Sequence, residues 1–280
     1  MPLILAATPL GNPLDASSRL KAAIASAEVI AAEDSRRFHR LAADLEVKFT
    51  ARIISFFEGN ESDRTTEILS LLREGREVLV VSDAGMPTIS DPGFRLMRDA
   101  IAENLPTIVI PGPSAPTMAI ALSGLPTDRF TFEGFAPRAQ GARRTFYEKL
   151  RFEERTMVIF EAPHRILESL QNAAEIFGLD QRAAICREMT KTYEETIRGS
   201  LAELIAWAQS KEVLGEITLV IAGVSIGAEG KTTADALARV REYEGAGMDR
   251  KAAIATVAEE FALPKKLVYA AVVDANKIGR

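Results

Sequence analysis

The stretch that decides the fold is Val80-Val81-Ser82-Asp83-Ala84-Gly85-Met86-Pro87-Thr88-Ile89-Ser90-Asp91-Pro92-Gly93. It begins inside a short apolar run, Val78 to Val81, which is typical of a buried parallel strand. It continues as a loop rich in Asp, Ser, Gly and Pro, and a helix is predicted from about Pro92 because proline suits the first helical turn. A merely structural turn needs fewer special residues. The stretch therefore predicts a ligand-binding loop at the carboxyl end of a strand.

Outward from this stretch, short apolar runs alternate with helical patterns. Strands are predicted at Leu3 to Ala7, Val29 to Ala32, Ile53 to Phe57, Val78 to Val81 and Thr107 to Ile110. Each strand is followed by a helical segment, and this order is typical of a mostly parallel sheet with helices on both faces. The predicted fold class is α/β.

The second half continues the α/β pattern with a different sheet. Strands are predicted at Phe130 to Phe135, Thr156 to Phe160, Ala183 to Cys186 and Ile217 to Ala222. Hairpin-like spacing around Thr192 to Arg198 indicates that this sheet is mixed. We therefore predict two α/β domains, residues 1–112 and 113–226, with a ligand in the cleft between them.

The last part of the chain, 227–280, is predicted to be a linker and a small helical tail. Three glycines, Gly223, Gly227 and Gly230, lie in residues 223–231, and helical patterns follow. Two of them, Asp249 to Phe261 and Pro264 to Ala275, are separated by a short turn, which is compatible with a helix-turn-helix pair. Residues 231–280 carry nine Lys and Arg against seven Asp and Glu, a weakly basic balance in a chain of net charge −5.

Composition excludes several classes of site. With one Cys and two His, the chain has no disulfide framework, and neither a cysteine zinc site nor a His-rich metal site is expected. No basic segment followed by an apolar core opens the sequence, and no apolar run approaches the ~18–20 residues that span a bilayer. We expect no metal, no membrane association and a cytoplasmic location.

Four loops follow predicted strands: 7–13, 33–37, 82–93 and 111–115. The carboxyl ends of parallel strands meet at one edge of a sheet, so these loops are expected to converge. They lack the glycine-lined cradle that a pyrophosphate needs, which weakens the NAD and ATP interpretations. They suit a zwitterionic cofactor that carries a nucleoside.

Two acids of the second half, Glu161 and Glu188, also come just after apolar strands. They are candidates for the same site. An equally good interpretation makes them structural ion-pair partners of Arg165 and Arg187.

Seven separated motifs stand in a characteristic order. They are Ala7-Thr8-Pro9-Leu10-Gly11-Asn12, Ala32-Glu33-Asp34-Ser35-Arg36, the stretch 81–93, Pro111-Gly112-Pro113-Ser114-Ala115, Asp128-Arg129-Phe130 with Glu133-Gly134-Phe135, Glu161-Ala162-Pro163-His164-Arg165, and Arg187-Glu188-Met189-Thr190-Lys191. Together they resemble a branch of the tetrapyrrole methylase superfamily that acts on ribosomal RNA. The resemblance runs from about residue 3 to residue 222 and continues in the tail.

The resemblance implies two α/β domains, a homodimer, and S-adenosyl-L-methionine bound between the domains. It also implies methyl transfer to the ribose 2′-oxygen of a cytidine, with 16S ribosomal RNA or the small ribosomal subunit as the partner. The cofactor contacts it implies are Pro9, Asp83, Ala84, Gly85, Ile89, Ser114, Ala115, Ala162 and Glu188.

A ribose hydroxyl is a weak acid, so a group must accept its proton. The candidate bases are Asp34, Glu58, Asp91 and Glu133, while Lys191 would instead stabilise a developing alkoxide. The sequence does not choose among the five.

RNA phosphates are expected at two basic segments. Arg36 and Arg37 lie in the first, and the second, residues 137–144, is predicted to be a mobile loop with Arg138, Arg143 and Arg144. A solvated helix face or a plain surface loop is the alternative for each.

Two other functions remain open at this stage. A tetrapyrrole carbon methyltransferase of the same fold would use the same cofactor, and a basic cleft would serve its many carboxylates or an RNA. A non-catalytic nucleic-acid-binding regulator would use the tail as a helix-turn-helix module.

Overall fold

A computed structural model describes residues 1–224, 233–261 and 263–278 of the chain. The first half forms a five-stranded sheet in which every neighbouring pair of strands is parallel. Its strands are β1 (Leu3–Ala6), β2 (Val29–Ala32), β3 (Arg52–Ser55), β4 (Val78–Val81) and β5 (Thr107–Ile110), in the spatial order β3-β2-β4-β1-β5. The predicted parallel sheet is confirmed.

Helices cover both faces of this sheet, so β1, β2 and β4 are buried along their whole length. The helices are α1 (Ser18–Ser26), α2 (Ser35–Asp44), α3 (Glu61–Arg73) and α4 (Phe94–Ala102). Side chains of α3 and α4 pack with Leu3 and Leu5 on one face, while α1 and α2 pack with Ile4 and Ala6 on the other. Successive side chains of one strand therefore pack into two cores, one on each face of the sheet.

The helix after the deciding stretch begins at Phe94, two residues later than predicted. Gly93 precedes it with a φ of 125°, a backbone conformation that glycine adopts freely. The loop is therefore longer than the position of Pro92 indicates.

The second half forms a mixed five-stranded sheet, as predicted. Its strands are β6 (Phe130–Phe135), β7 (Thr156–Glu161), β8 (Arg182–Arg187), β9 (Glu195–Ser200) and β10 (Ile217–Ile221), in the spatial order β6-β7-β10-β8-β9. The pair β6–β7 is parallel and the other three pairs are antiparallel. One face packs on α5 (Ala115–Ser123), and the other packs on α6 (Gln140–Lys149), α7 (Ile166–Phe177) and α8 (Leu201–Ser210).

The prediction of a mobile basic loop at 137–144 is wrong for most of that range, because α6 begins at Gln140. Arg143 points inward and its side chain is fully buried. Its guanidinium donates to Asn172 Oδ1 at 3.0 Å and to Glu168 Oε2 at 2.7 Å on α7. Arg143 therefore ties two helices together and is not available to a phosphate.

The tail contains α9 (Thr233–Gly245), α10 (Arg250–Glu260) and α11 (Lys265–Ile278), which pack around a small apolar core of their own. Most of the predicted linker, 225–231, and Ala262 of the predicted turn lie outside the described residues. Within the described residues, no helix combines the length and apolar character that a bilayer crossing requires.

Candidate active site

A cleft of about 400 Å³ lies between the two sheets, and the loop after β4 forms much of its wall. The two halves of the chain both contribute. Its lining residues from the first half and α5 are Leu10, Glu33, Arg37, Asp83, Ala84, Gly85, Met86, Ile89, Ser90, Asp91, Ser114, Ala115 and Pro116. Those from the second sheet are Phe135, Phe160, Glu161, Ala162, Pro163, Met189, Gly215, Glu216, Ile217 and Thr218.

The position of the cleft follows from the strand order. The strands β1 and β4 are neighbours in the centre of the sheet, and the loops that follow them leave its carboxyl edge, where open α/β sheets hold ligands. The two loops are joined by an antiparallel bridge, in which Thr8 N donates to Gly85 O at 2.9 Å and Gly85 N donates to Thr8 O at 3.1 Å. The buried Thr8 hydroxyl also donates to Ser82 O at 3.2 Å. These bonds fix the turn that faces the cleft.

Of the six non-glycine residues with a positive φ among the described residues, four lie in two loops at or next to this cleft. Thr88 and Ser90 in the loop after β4 have φ values of 77° and 63°, and Glu188 and Thr190 after β8 have values of 51° and 66°. A non-glycine residue in such a conformation costs about 1–3 kcal/mol and persists where the surroundings impose it. Such strain is typical of ligand-binding loops.

Asp83 links the loops after β2 and β4. One of its carboxylate oxygens accepts from Asp34 N at 3.0 Å, and the other pairs with the Arg37 guanidinium at 3.2 Å. Asp83 N in turn donates to Glu33 Oε2 at 3.1 Å. Burial is the largest effect on both carboxyl groups and raises the pKa of Asp83 and of Glu33. The charge of Asp83 raises the pKa of Glu33 further, and the charges of Asp34 and Glu216 raise that of Asp83.

Asp91 is the candidate base that the structure places in the cleft wall. Burial raises the pKa of its carboxyl to about 7, and the nearby charge of Glu33 contributes in the same direction. A hydrogen bond from the Ser82 side chain opposes the shift. A carboxylate with this pKa accepts protons more readily than an ordinary aspartate does.

The other four candidates for catalysis lie outside the cleft wall. Asp34 caps α2 by accepting from Arg36 N and Arg37 N, and the Arg36 bond contributes most to lowering its pKa. Glu58 is exposed on a one-turn helix. Glu133 accepts from the Thr131 hydroxyl on β6.

Lys191, the candidate for alkoxide stabilisation, is paired with two carboxylates, Glu188 and Glu216, each at 3.0 Å. Burial opposes its charge, but these partners outweigh burial and raise its pKa. Its positive charge is therefore already compensated.

Seven of the nine expected cofactor contacts lie in the cleft wall: Asp83, Ala84, Gly85, Ile89, Ser114, Ala115 and Ala162. Pro9 is buried behind the wall. Glu188 is also outside it, because its carboxylate accepts from Lys191 Nζ at 3.0 Å and from Glu216 N at 2.8 Å. Met189, one residue further, occupies the wall in its place.

Glu161 is the ion-pair partner of Arg165, which was one of its two interpretations from the sequence. The Arg165 guanidinium lies 2.9 Å from the Glu161 carboxylate, and the Glu161 side chain is fully buried. The same carboxylate oxygen accepts from Ala162 N at 2.8 Å. Glu161 therefore fixes the Ala162-Pro163 turn against the cleft. Arg187 pairs with Glu195 at 3.2 Å.

Of the residues expected to meet RNA, Arg37 lines the cleft. The Arg36 and Arg144 side chains are 91% and 67% exposed, and Arg138 is exposed as well, so these three are accessible to phosphates.

The cleft wall is acidic rather than basic. Among the described residues that line it, Arg37 is outnumbered by five acids: Glu33, Asp83, Asp91, Glu161 and Glu216. Such a wall lacks the excess of positive charge that would attract a polyanion.

Sequence reasoning did not single out Glu33, Phe135, Phe160 and Met189 as wall residues. Glu33, Phe135 and Met189 lie within the seven sequence motifs, so the motifs could have indicated them. Phe160 lies in an apolar strand, and its pattern does not distinguish a core residue from a wall residue.

The family profile of tetrapyrrole (corrin/porphyrin) methylases matches residues 2–205. The chain belongs to the tetrapyrrole methylase family. The resemblance stated from the motifs is thereby confirmed.

Among the members of this family, ribosomal RNA small subunit methyltransferase I of Mycobacterium tuberculosis is 49% identical over 91% of this chain and 88% of its own length. The protein of the same name from Thermotoga maritima is 43% identical over 79% of this chain and 98% of its own length.

Solved structures of other proteins share the fold. Diphthine synthase superposes with a TM-score of 0.58 at 16% identity, covering 79% of this chain and 89% of that one. Uroporphyrin-III C-methyltransferase from Thermus thermophilus, solved with S-adenyl homocysteine, gives 0.54 at 16% identity, covering 79% and 97%. At these identities the likeness shows the fold alone, and the predicted fold class is confirmed.

Proposed function

We propose that the protein is a cytoplasmic, S-adenosyl-L-methionine-dependent methyltransferase that modifies the ribose 2′-oxygen of a cytidine in 16S ribosomal RNA. The observation that carries the proposal is 49% identity, over most of both chains, to proteins named ribosomal RNA small subunit methyltransferase I. The proposed units are residues 1–112 and 113–226, with the cofactor between them, and the tail 227–280.

The cleft residues fit the proposed cofactor. A volume of about 400 Å³ lies within the range of small-molecule sites, roughly 300–1,000 Å³. Apolar groups such as Met189 and Ile217 suit an adenine ring, and carboxylates such as Asp83 and Glu216 suit a sulfonium and an ammonium group. We propose the seven wall residues of the expected set as the cofactor contacts.

The bound cofactor would supply the methyl group from its sulfonium. Residues of this chain would then do two things: hold the ribose oxygen in line with that carbon, and accept the hydroxyl proton. We propose Asp91 as the acceptor, because of the five candidates it is the one in the wall and its pKa is about 7. Arg36, Arg37, Arg138 and Arg144 are the proposed phosphate contacts.

The charge of the cleft favours RNA over the tetrapyrrole alternative. A tetrapyrrole with several carboxylates would have to enter a wall that carries five acids and Arg37. A ribose and its base carry no negative charge, and the phosphates on either side would stay outside at the arginines. This difference supports a nucleoside as the group that enters.

The function is tested by incubating the protein with methyl-labelled cofactor and small-subunit particles from cells that lack the enzyme. We expect one labelled cytidine in 16S RNA, with the label on the ribose. Label on a base would refute the proposed acceptor. Cofactor binding without transfer to any RNA would favour the nucleic-acid-binding regulator.

We also propose a homodimer, supported by the exposed edge of the first sheet. On β5, Ile108 and Val109 are 41% and 45% exposed, and Ile101 on the neighbouring α4 is 57% exposed. Exposed apolar edge strands are normally covered by a partner. Val109→Glu should shift the sedimentation of the protein toward the monomer, whereas Leu179→Glu, a change at an exposed residue that follows α7 in the second half, should not. Unchanged sedimentation of Val109→Glu would remove β5 from the interface.

A further inference from the structure

Phe135, the last residue of β6, lines the cleft while 58% of its surface is exposed. Phe132, on the same strand, packs into the core beneath α5. An exposed aromatic ring beside a binding site buries its apolar surface only when a ligand covers it. The question is what this ring contacts.

The backbone is shaped to present this ring. Side chains three residues apart on a regular strand point to opposite faces. Phe132 and Phe135 nevertheless both pack against Phe160, with ring centroids 4.8 Å and 5.2 Å away. The cause is a register shift against β7 between Phe132 and Phe135, where Gly134 has a φ of 71°. Such a bulge redirects a side chain, here toward the cleft.

The ring is held in place and lines the same cleft as Asp91, the proposed proton acceptor. It meets Phe160, itself a wall residue, edge to face at 62°. The bulge also approaches the loop after β4, because a Cβ built on Gly134 would lie 3.8 Å from Ser90 Oγ. Ser90 is the residue before Asp91. An oriented aromatic surface therefore adjoins the place where a ribose would react.

We propose that Phe135 is the stacking platform for the base of the nucleotide that is methylated, an inference that rests on the proposed function. A cleft of about 400 Å³ has no room for a helical segment, so a nucleotide whose ribose enters it must bring its base out of the stack. RNA-binding proteins receive unstacked bases on aromatic rings. A neutral base also suits a wall that has no excess of positive charge for phosphates. The ring would replace the stacking that the base loses.

The test compares Phe135→Ala, Phe135→Leu and Phe135→Trp with the wild type. Methyl transfer to small-subunit particles gives kcat/KM, and titration calorimetry with S-adenosylhomocysteine gives the cofactor-site Kd. The Ala and Leu variants should lose about 10- to 100-fold in kcat/KM, and Trp should stay within about threefold of wild type. All Kd values should agree within about twofold. Phe130→Ala is the matched control, since Phe130 is 38% exposed at the other end of β6 and outside the wall.

Three results would overturn the inference. Full activity of Phe135→Leu would show that the site needs apolar bulk and no aromatic surface. Loss of activity that follows a changed sedimentation or melting temperature would assign the ring to an interface or to folding. If the wild type is active and Phe135→Ala is equally active, the inference alone is refuted. If the wild type itself is inactive, the proposed function and the inference are refuted together.

Discussion

At the scale of single residues, burial decides what a carboxylate or a guanidinium does. Asp34 and Asp91 are the same residue type after neighbouring strands of one sheet. Asp34 caps a helix, and its pKa is lowered by the backbone bond from Arg36. Asp91 is half-buried beside Glu33, and its pKa is raised to about 7. The same chemical group therefore becomes a cap in one loop and a candidate base in the other.

Asp91→Asn tests the base. The carboxylate must be deprotonated to accept a proton, so the kcat of the wild type should fall as the pH drops through about 7. The Asn variant should lose about 100-fold or more in kcat, lose this pH dependence, and keep its cofactor affinity. Glu58→Gln, a change at an exposed candidate outside the wall, should behave as wild type. An Asn variant with the wild-type pH profile would exclude Asp91.

Arg143→Ala tests the buried arginine. Removing the guanidinium leaves buried Asn172 without its donor and Glu168 without its ion pair. The free energy of unfolding in urea should fall by about 2–4 kcal/mol. Arg144→Ala, next along the chain with a side chain 67% exposed, should change it by less than about 0.5 kcal/mol. Equal stabilities of the two variants would contradict the placement of Arg143.

At the scale of elements, loops from the two halves meet on one side of the cleft. Asn12 N donates to Thr190 Oγ1 at 3.2 Å, and the Lys191 side chain lies across Gly11. Lys191 is held there by Glu188 and Glu216. Strained backbone at Glu188 and Thr190 is thus supported by a contact from the loop after β1.

Gly11→Ala tests this contact. A Cβ on Gly11 would clash with Lys191 Cγ, so the paired lysine would have to move. We expect a loss of about 1–3 kcal/mol in the free energy of unfolding, together with weaker cofactor binding. The double variant Gly11→Ala with Lys191→Ala should recover part of the loss from Gly11→Ala, as a double-mutant cycle would show. The control is Gly141→Ala on α6, which meets no atom within 4 Å. A loss that Lys191→Ala does not relieve would rule out the steric cause.

At the scale of the whole molecule, the described residues form five apolar cores: one on each face of the two sheets and one in the tail. The tail core, which includes Val240, Ile254 and Val268, contains residues of the tail alone. The Thermotoga relative is matched over 98% of its length by 79% of this chain, so about a fifth of this chain has no counterpart there. The tail therefore packs independently of the cleft.

Deletion of residues 231–280 tests what the tail does. Its packing is its own, so the cofactor Kd measured by calorimetry should stay within about twofold. Methylation of small-subunit particles should fall, and the salt dependence of particle binding should become shallower because Lys and Arg of the tail no longer meet phosphates. If truncation changes neither activity nor salt dependence, the tail is a structural appendage.

The fold was largely predictable because its signals are local. Apolar runs such as Val78 to Val81, the glycines and prolines of the stretch after it, and the order of strands and helices each depend on neighbouring residues only. The convergence of Asp83, Ser114 and Ala162 was also predictable, since strand order and family motifs both place them at one cleft.

The sequence by itself therefore determined two α/β sheets, a helical tail and the loops that surround the cleft. The tertiary structure alone decided which side chains of those loops face it. Arg143 turned inward because Asn172 and Glu168 on another helix accept from it. Phe135 turned to the cleft because a bulge shifted its strand against β7. The physical reason is that burial, pKa and side-chain direction depend on residues distant in sequence, and local patterns do not encode those contacts.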